Sequence, residues 1–148
     1  MPLRLTDLVK AAKENISEIT CDQVKDYQSQ GYKTLDVREA AEYLDGTIPM
    51  SLHIPRGILE PKCDMCFEGH QSELSDLNQP WIIFCQAGGR GALAAHTMQQ
   101  MGYTCVVNLI GGFGAWKAAG GAIETPPIED GLIRCDHPWN PGYQENQG

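Results

Sequence analysis

The chain places Cys85-Gln86-Ala87-Gly88-Gly89-Arg90 directly after an apolar run, Trp81-Ile82-Ile83-Phe84, and directly before a helix-forming stretch. That order puts a lone thiol at the end of a buried strand, in a glycine-bearing bend, at a helix N-terminus. The first N–H groups of a helix have no partners within it, so in such a bend they face whatever the bend encloses. With the helix dipole and Arg90 they create a positive potential that favours a thiolate. Lowering a thiol pKa by about two units from its usual value of about 8.5 takes about 2.7 kcal/mol of differential stabilisation, which several N–H donors and one guanidinium can supply. The chemistry this predicts is nucleophilic. Cys85 is expected to be ionised and reachable from solvent, in an anion cradle built by Gln86, Ala87, Gly88, Gly89 and Gly91 and closed by Arg90.

Other residues could serve the same site. Asp36, Arg38 and Glu39 follow a second apolar run. Carboxylates and arginines at a strand end commonly fix a loop by ion pairing, so all three read as structural support, with Asp36 nearest the rim. Arg56, in His53-Ile54-Pro55-Arg56-Gly57, is placed at the mouth, either to recognise an anionic donor or as a solvated surface arginine. Cys63 and Cys66 form a Cys-x2-Cys pair which Cys135 and His137 would complete to four zinc ligands. The spacing of the second pair is unusual and neither flank carries a knuckle glycine. The alternatives are a dithiol that takes sulfur from Cys85 or protects it, and two loop cysteines without a task. No metal and no cofactor are assigned.

The elements that must position Cys85 follow from periodicity. Leu5, Leu8, Val9 and Ala12 recur at helical spacing and predict an amphipathic helix that ends near Asn15. A short strand is predicted over 16–19. Thr20-x-x-Gln23 has the form of a capping box opening a helix that Gly31 stops. Strands are expected over 32–37, 50–54, 81–84 and 104–109, with a short helix over 39–44. Segment 56–79 reads as polar and irregular, with one helical turn near 73–77. In the helix after Cys85, Leu93, Ala94, Thr97, Met98 and Met101 share one face. Gly111-Gly112 leads into a last helix with Phe113 and Trp116 as core aromatics, and Cys21 and Cys105 read as packing residues. Alternating strands and helices predict an α/β fold: a parallel sheet with helices on both faces, binding its ligand beyond the carboxyl ends of the strands. The expected division is a helix over 1–15 packed on the domain, the domain itself over 16–124, and an irregular tail over 125–148.

Composition narrows the partners. With 148 residues the chain is long enough for one domain with its own core. Its formal net charge is −8 and it has no run of lysines or arginines, which argues against nucleic acid and anionic membranes as partners. An anionic substrate must then be held by local charge against an unfavourable global field. The first 20 residues lack the uninterrupted apolar stretch of a secretory signal, and six scattered cysteines suit free thiols. The expected location is cytoplasmic.

Several separated motifs together resemble the single-domain rhodaneses, the thiosulfate sulfurtransferases and their relatives. They are Leu35-Asp36-Val37-Arg38-Glu39 with Glu42-Tyr43; Gly46-Thr47-Ile48-Pro49; Phe84-Cys85-x-x-Gly88-x-Arg90; and Gly111-Gly112-x-x-Ala115-Trp116-x-x-Ala119-Gly120. The resemblance implies a rhodanese-like five-stranded parallel sheet and persulfide chemistry. Cys85 would take the outer sulfur of thiosulfate or a related small anionic donor. It would then pass that sulfur to cyanide, a thiol or a protein acceptor. Two departures stand out: Thr47 replaces the family's usual histidine, at a position read as structural, and Gly91 replaces a common serine after the loop arginine. The missing hydroxyl bears on turnover rather than on reaction type. Two rivals remain. One is a cysteine-dependent phosphatase or arsenate reductase, which needs a wider loop than the four residues between Cys85 and Arg90. The other is a binding or sulfur-relay module with little free turnover.

Overall fold

Strands and helices alternate along the chain, with glycines in left-handed backbone conformation opening two of the helices. In the computed structural model, which describes residues 2–126, 128–129 and 132–133, the order is α1 (Leu5–Lys13), β1 (Ser17–Ile19), α2 (Val24–Ser29), β2 (Lys33–Asp36), α3 (Ala40–Leu44) and β3 (Leu52–His53). Then come α4 (Leu59–Cys63), β4 (Trp81–Phe84), α5 (Gly89–Gln100), β5 (Val106–Leu109) and α6 (Gly112–Ala118). Five strands form one parallel sheet in the order β1-β5-β4-β2-β3. Two short strands, Ile128–Glu129 and Leu132–Ile133, pair antiparallel within the segment expected to be irregular.

The central strand β4 is apolar throughout because both of its faces are covered. Trp81 and Ile83 point into one core with Leu35, Leu59, Ala94 and Met98, while Ile82 and Phe84 point into the other with Val24, Phe113 and Trp116. This is the period-two alternation of a strand between two helical layers. Each fully buried Leu, Ile or Phe adds about 1.5–3 kcal/mol, so both layers are firmly attached. No helix among the described residues is long and apolar enough to cross a membrane.

Two helices differ from expectation for physical reasons. Segment 56–79 carries α4, where Leu59 and Cys63, one turn apart, are buried over the sheet. Pro61 is tolerated there because it lies in the first turn, where its missing N–H has no helical acceptor to lose. In α5 the buried residues are Gly91, Ala92, Ala94, Ala95 and Met98, whereas Leu93 and Thr97 are only half-buried. A single apolar face was expected. The helix instead packs on the sheet on one side and on α1 on another, and small alanines serve both contacts.

Candidate active site

Cys85 follows β4 at the carboxyl edge of the sheet, and the loop behind it is shaped by backbone hydrogen bonds. The carbonyls of Cys85 and Gln86 are drawn towards α6, accepting from Phe113 N–H at 2.7 Å and Gly114 N–H at 3.0 Å. The carbonyl of Gly88 accepts from Ala92 N–H at 3.0 Å and from the Asn108 side-chain amide at 3.1 Å. With these carbonyls occupied, Gly88 N–H turns to Cys85 Sγ at 3.0 Å. The left-handed backbone of Gly88, φ +116°, starts α5 at the same point.

Glycine at 112 is obligatory. Its φ is +57°, and a Cβ there would overlap the Cys85 carbonyl oxygen and the Gln86 backbone. Gly91 is required by a side chain instead: a Cβ at that position would run into Asn108 Oδ1. The space that a family serine would take is therefore occupied by the amide of Asn108. That residue is fully buried, donates through Nδ2 to Gly88 O and to Glu18 Oε2 at 2.9 Å, and leaves Oδ1 without a partner among the described residues.

Asp36 and Arg38 form a buried ion pair at 2.8 Å, and both side chains are almost wholly excluded from solvent. Asp36 also accepts from the Arg38 N–H and from Thr47 Oγ1, each at 2.9 Å, which gives Thr47 the structural task expected of it. The residue that meets the cysteine loop is Arg38: its Nη1 donates to Gln86 Oε1 at 3.1 Å and its Nη2 to Gly46 O at 2.6 Å. Its guanidinium lies 4.3 Å from the centre of the Phe113 ring, a cation–π contact in a dry setting. His53 stacks flat on Tyr43 at 4.1 Å and donates to the Arg38 carbonyl at 2.8 Å, so this brace is itself held.

Arg90 opens α5 but its guanidinium is engaged. It forms a bidentate pair with Glu42 of α3, at 2.7 and 2.9 Å. That bond lowers the Glu42 pKa and raises that of Arg90, which also feels the nearby Cys85 and Glu39. Arg56 is not brought to the loop. It binds Glu60 at 2.8 Å and, at 3.1 Å, Thr97, seven residues along α5 from Arg90 and so about 10 Å away.

The thiol itself corrects one expectation. Cys85 is only 1 % exposed, because Sγ folds beneath the bend to meet Gly88 N–H, while Gln86 and Ala87 form an exposed lip. Of the other cysteines, Cys63 is buried, Cys66 is exposed, and Cys105 is exposed rather than packed. Among the described residues no three His, Cys, Asp or Glu side chains converge as metal ligands; Cys135 and His137 lie outside the described residues. Sequence reasoning gave no site role to three residues that build this site, although two of them stand in the quoted motifs. Glu42 had the N3 spacing of a capping box after Glu39, Asn108 was the one polar residue in Val106-Val107-Asn108-Leu109, and Gly112 was half of a glycine pair.

The arrangement is a sulfur atom with a directed amide donor, a braced loop and a paired arginine at its edge. The chain as a whole is similar to known proteins. The chain is 30% identical over 125 residues to Protein HIGH ARSENIC CONTENT 1, mitochondrial, of Arabidopsis thaliana, covering 82% of this chain and 73% of that one. It is 32% identical over 91 residues to the human thiosulfate:glutathione sulfurtransferase, covering 57% of this chain and 77% of that protein. A solved structure from Rhodopseudomonas palustris, described as a protein of unknown function and possible tyrosine phosphatase, superposes with a TM-score of 0.75 at 31% identity, covering 84% of this chain and 99% of that one. The Rhodanese-like domain family model matches residues 20–119, from the capping box before α2 to the end of α6, and the chain belongs to that family.

Proposed function

We propose that this protein is a sulfurtransferase that carries a sulfane sulfur on Cys85, from thiosulfate or a related donor to a thiol, cyanide or a protein acceptor. The observation that carries this reading is the Gly88 N–H aimed at Cys85 Sγ at 3.0 Å within a loop of only four residues between Cys85 and Arg90. In the first step the Cys85 thiolate attacks the outer sulfur of the donor. The donor's S–S bond breaks, its electron pair leaves with sulfite or a thiolate, and Cys85 becomes a persulfide. In the second step an acceptor nucleophile takes the terminal sulfur and regenerates the thiolate. Backbone donors of Gln86, Ala87, Gly88, Gly89 and Gly91 stabilise the charge that moves between sulfurs, and Arg90 closes the cradle. Asp36 and Arg38 are positioning residues: through Gln86 they hold the loop. Arg56 is left out of this mechanism, since Glu60 and Thr97 hold it elsewhere. Five free cysteines among the described residues suit a reducing compartment such as the cytoplasm.

Intact mass after incubation with thiosulfate or a persulfide tests the reading. One added sulfur atom is expected, removable by cyanide as thiocyanate and absent from Cys85→Ser. Hydrolysis of a phosphate ester with no sulfur on Cys85 would make the chain a phosphatase. A folded protein inert in both assays would be a binding module.

A further inference from the structure

Three arginines from this side of the sheet carry matching carboxylates: Arg38 on Asp36 at 2.8 Å, Arg56 on Glu60 at 2.8 Å and Arg90 on Glu42 at 2.7 Å. The first pair is sealed and the second lies along α5. The third stands on the cysteine loop itself, about one-third exposed on both sides, where an incoming anion would compete for the guanidinium. Glu39, one turn before Glu42, adds a further negative charge within reach of Arg90. Local charge at the loop edge is thus balanced or negative, on a chain whose overall charge is already −8.

Resting on the sulfur-transfer reading, we propose that Glu42 sets donor specificity: by clasping Arg90 in a bidentate pair, it disfavours dianionic donors and tilts the site towards organic persulfides. Thiosulfate must bring two negative charges to a guanidinium already compensated, and must displace Glu42 to obtain it. A persulfide in its RSSH form brings no fixed charge at the reacting sulfurs. The Cys85 thiolate attacks its terminal sulfur, the RS–SH bond breaks, RS⁻ leaves with the electron pair, and Cys85 is left as Cys–S–SH. Such a donor needs only the amide cradle. Discrimination through an unfavourable charge is a common device of selective sites.

Glu42 also ties α3 to α5 and accepts the Glu39 N–H at 3.2 Å, so a purely structural role must be separated from specificity. Glu42→Gln does this, because the amide keeps the size and, through Oε1, still accepts from Arg90 Nη1 and the Glu39 N–H, while it loses the charge and the second acceptor that makes the pair bidentate. Sulfur loading of Cys85 is followed by mass with thiosulfate and with cysteine persulfide as donors. The wild type is expected to load from the persulfide at least about tenfold more efficiently, and Glu42→Gln to raise the thiosulfate-to-persulfide ratio of kcat/KM about tenfold, mainly through the KM for thiosulfate. Parallel losses with both donors in a variant of unchanged Tm would overturn the proposal and leave Glu42 a structural clasp. A wild type that prefers thiosulfate would overturn it without any variant. No sulfur on Cys85 from either donor would instead remove the sulfur-transfer reading beneath it.

Discussion

Cys85 and Cys63 belong to the same apolar cluster and are almost equally shut from solvent, at 1 % and 4 % exposure, yet their surroundings differ. Cys63 ends α4 among Leu59, Leu74 and Met98. Burial pushes its pKa up to about 11, and the neighbouring Tyr103 hydroxyl opposes this only in part. Desolvation outweighs it, and the Tyr103 hydroxyl also donates to the Leu74 carbonyl. Around Cys85 the backbone is turned the other way: carbonyls are drawn off to α6 and Asn108, and an amide faces the sulfur. Depth does not distinguish the two thiols. The direction of the peptide groups does, and around Cys85 that direction is set by hydrogen bonds to α6 and Asn108.

Forcing that helix away is the strongest way to erase the difference. Gly112→Ala drives a methyl group into the Cys85 carbonyl at a left-handed position, so α6 or the loop must shift. A stability loss of about 2–4 kcal/mol is expected in denaturant titration, with sulfur loading at Cys85 slowed by about a hundredfold or more. Unchanged loading would show that the α6 clamp is not what orients the amide. The Cys63 side of the contrast is probed by alkaline pH. Below pH 9 its thiol is protonated in both folded and unfolded chains; between about 9 and 11 only the unfolded chain gives up the proton. Folding stability is therefore lost as pH rises through that window, by about 2–3 kcal/mol for a two-unit shift. Cys63→Ala should flatten this limb of the stability profile measured by chemical denaturation, although the same substitution lowers stability at neutral pH by opening a small cavity.

Much of this could be read from the sequence where one residue answers to one local force. The Trp81–Phe84 strand, the thiol after it and the helix opened by glycines follow from adjacent residues. The Arg38–Gln86 and Arg90–Glu42 bonds each join residues 48 positions apart, and no periodicity reports them. Helix α4 was hidden because its buried positions, Leu59 and Cys63, are too few to make a stripe among polar neighbours. The burial of Cys85 was missed for a related reason. Composition says which donors a loop owns, but only the sheet edge and α6 decide which way they face.

The finest contrast lies between Gly91 and Asn108, where this chain differs from the serine common in its family. Gly91→Ala alone is expected to be destabilising, because Asn108 Oδ1 occupies the place of the new methyl group. Asn108→Ala alone removes a donor from the Gly88 carbonyl and leaves a small void, but also deletes a buried oxygen that has no partner among the described residues. The two losses should not add. With the amide gone, the alanine at position 91 has room, and a double-mutant cycle on folding stability should show about 1–2 kcal/mol of favourable coupling. Gly88 O keeps its bond from Ala92 N–H in every variant, so the loop's general course is preserved and the cycle reads the packing conflict itself. Strict additivity would mean that Asn108 turns aside freely. The glycine at 91 would then owe nothing to that neighbour, and the serine's absence would need another cause.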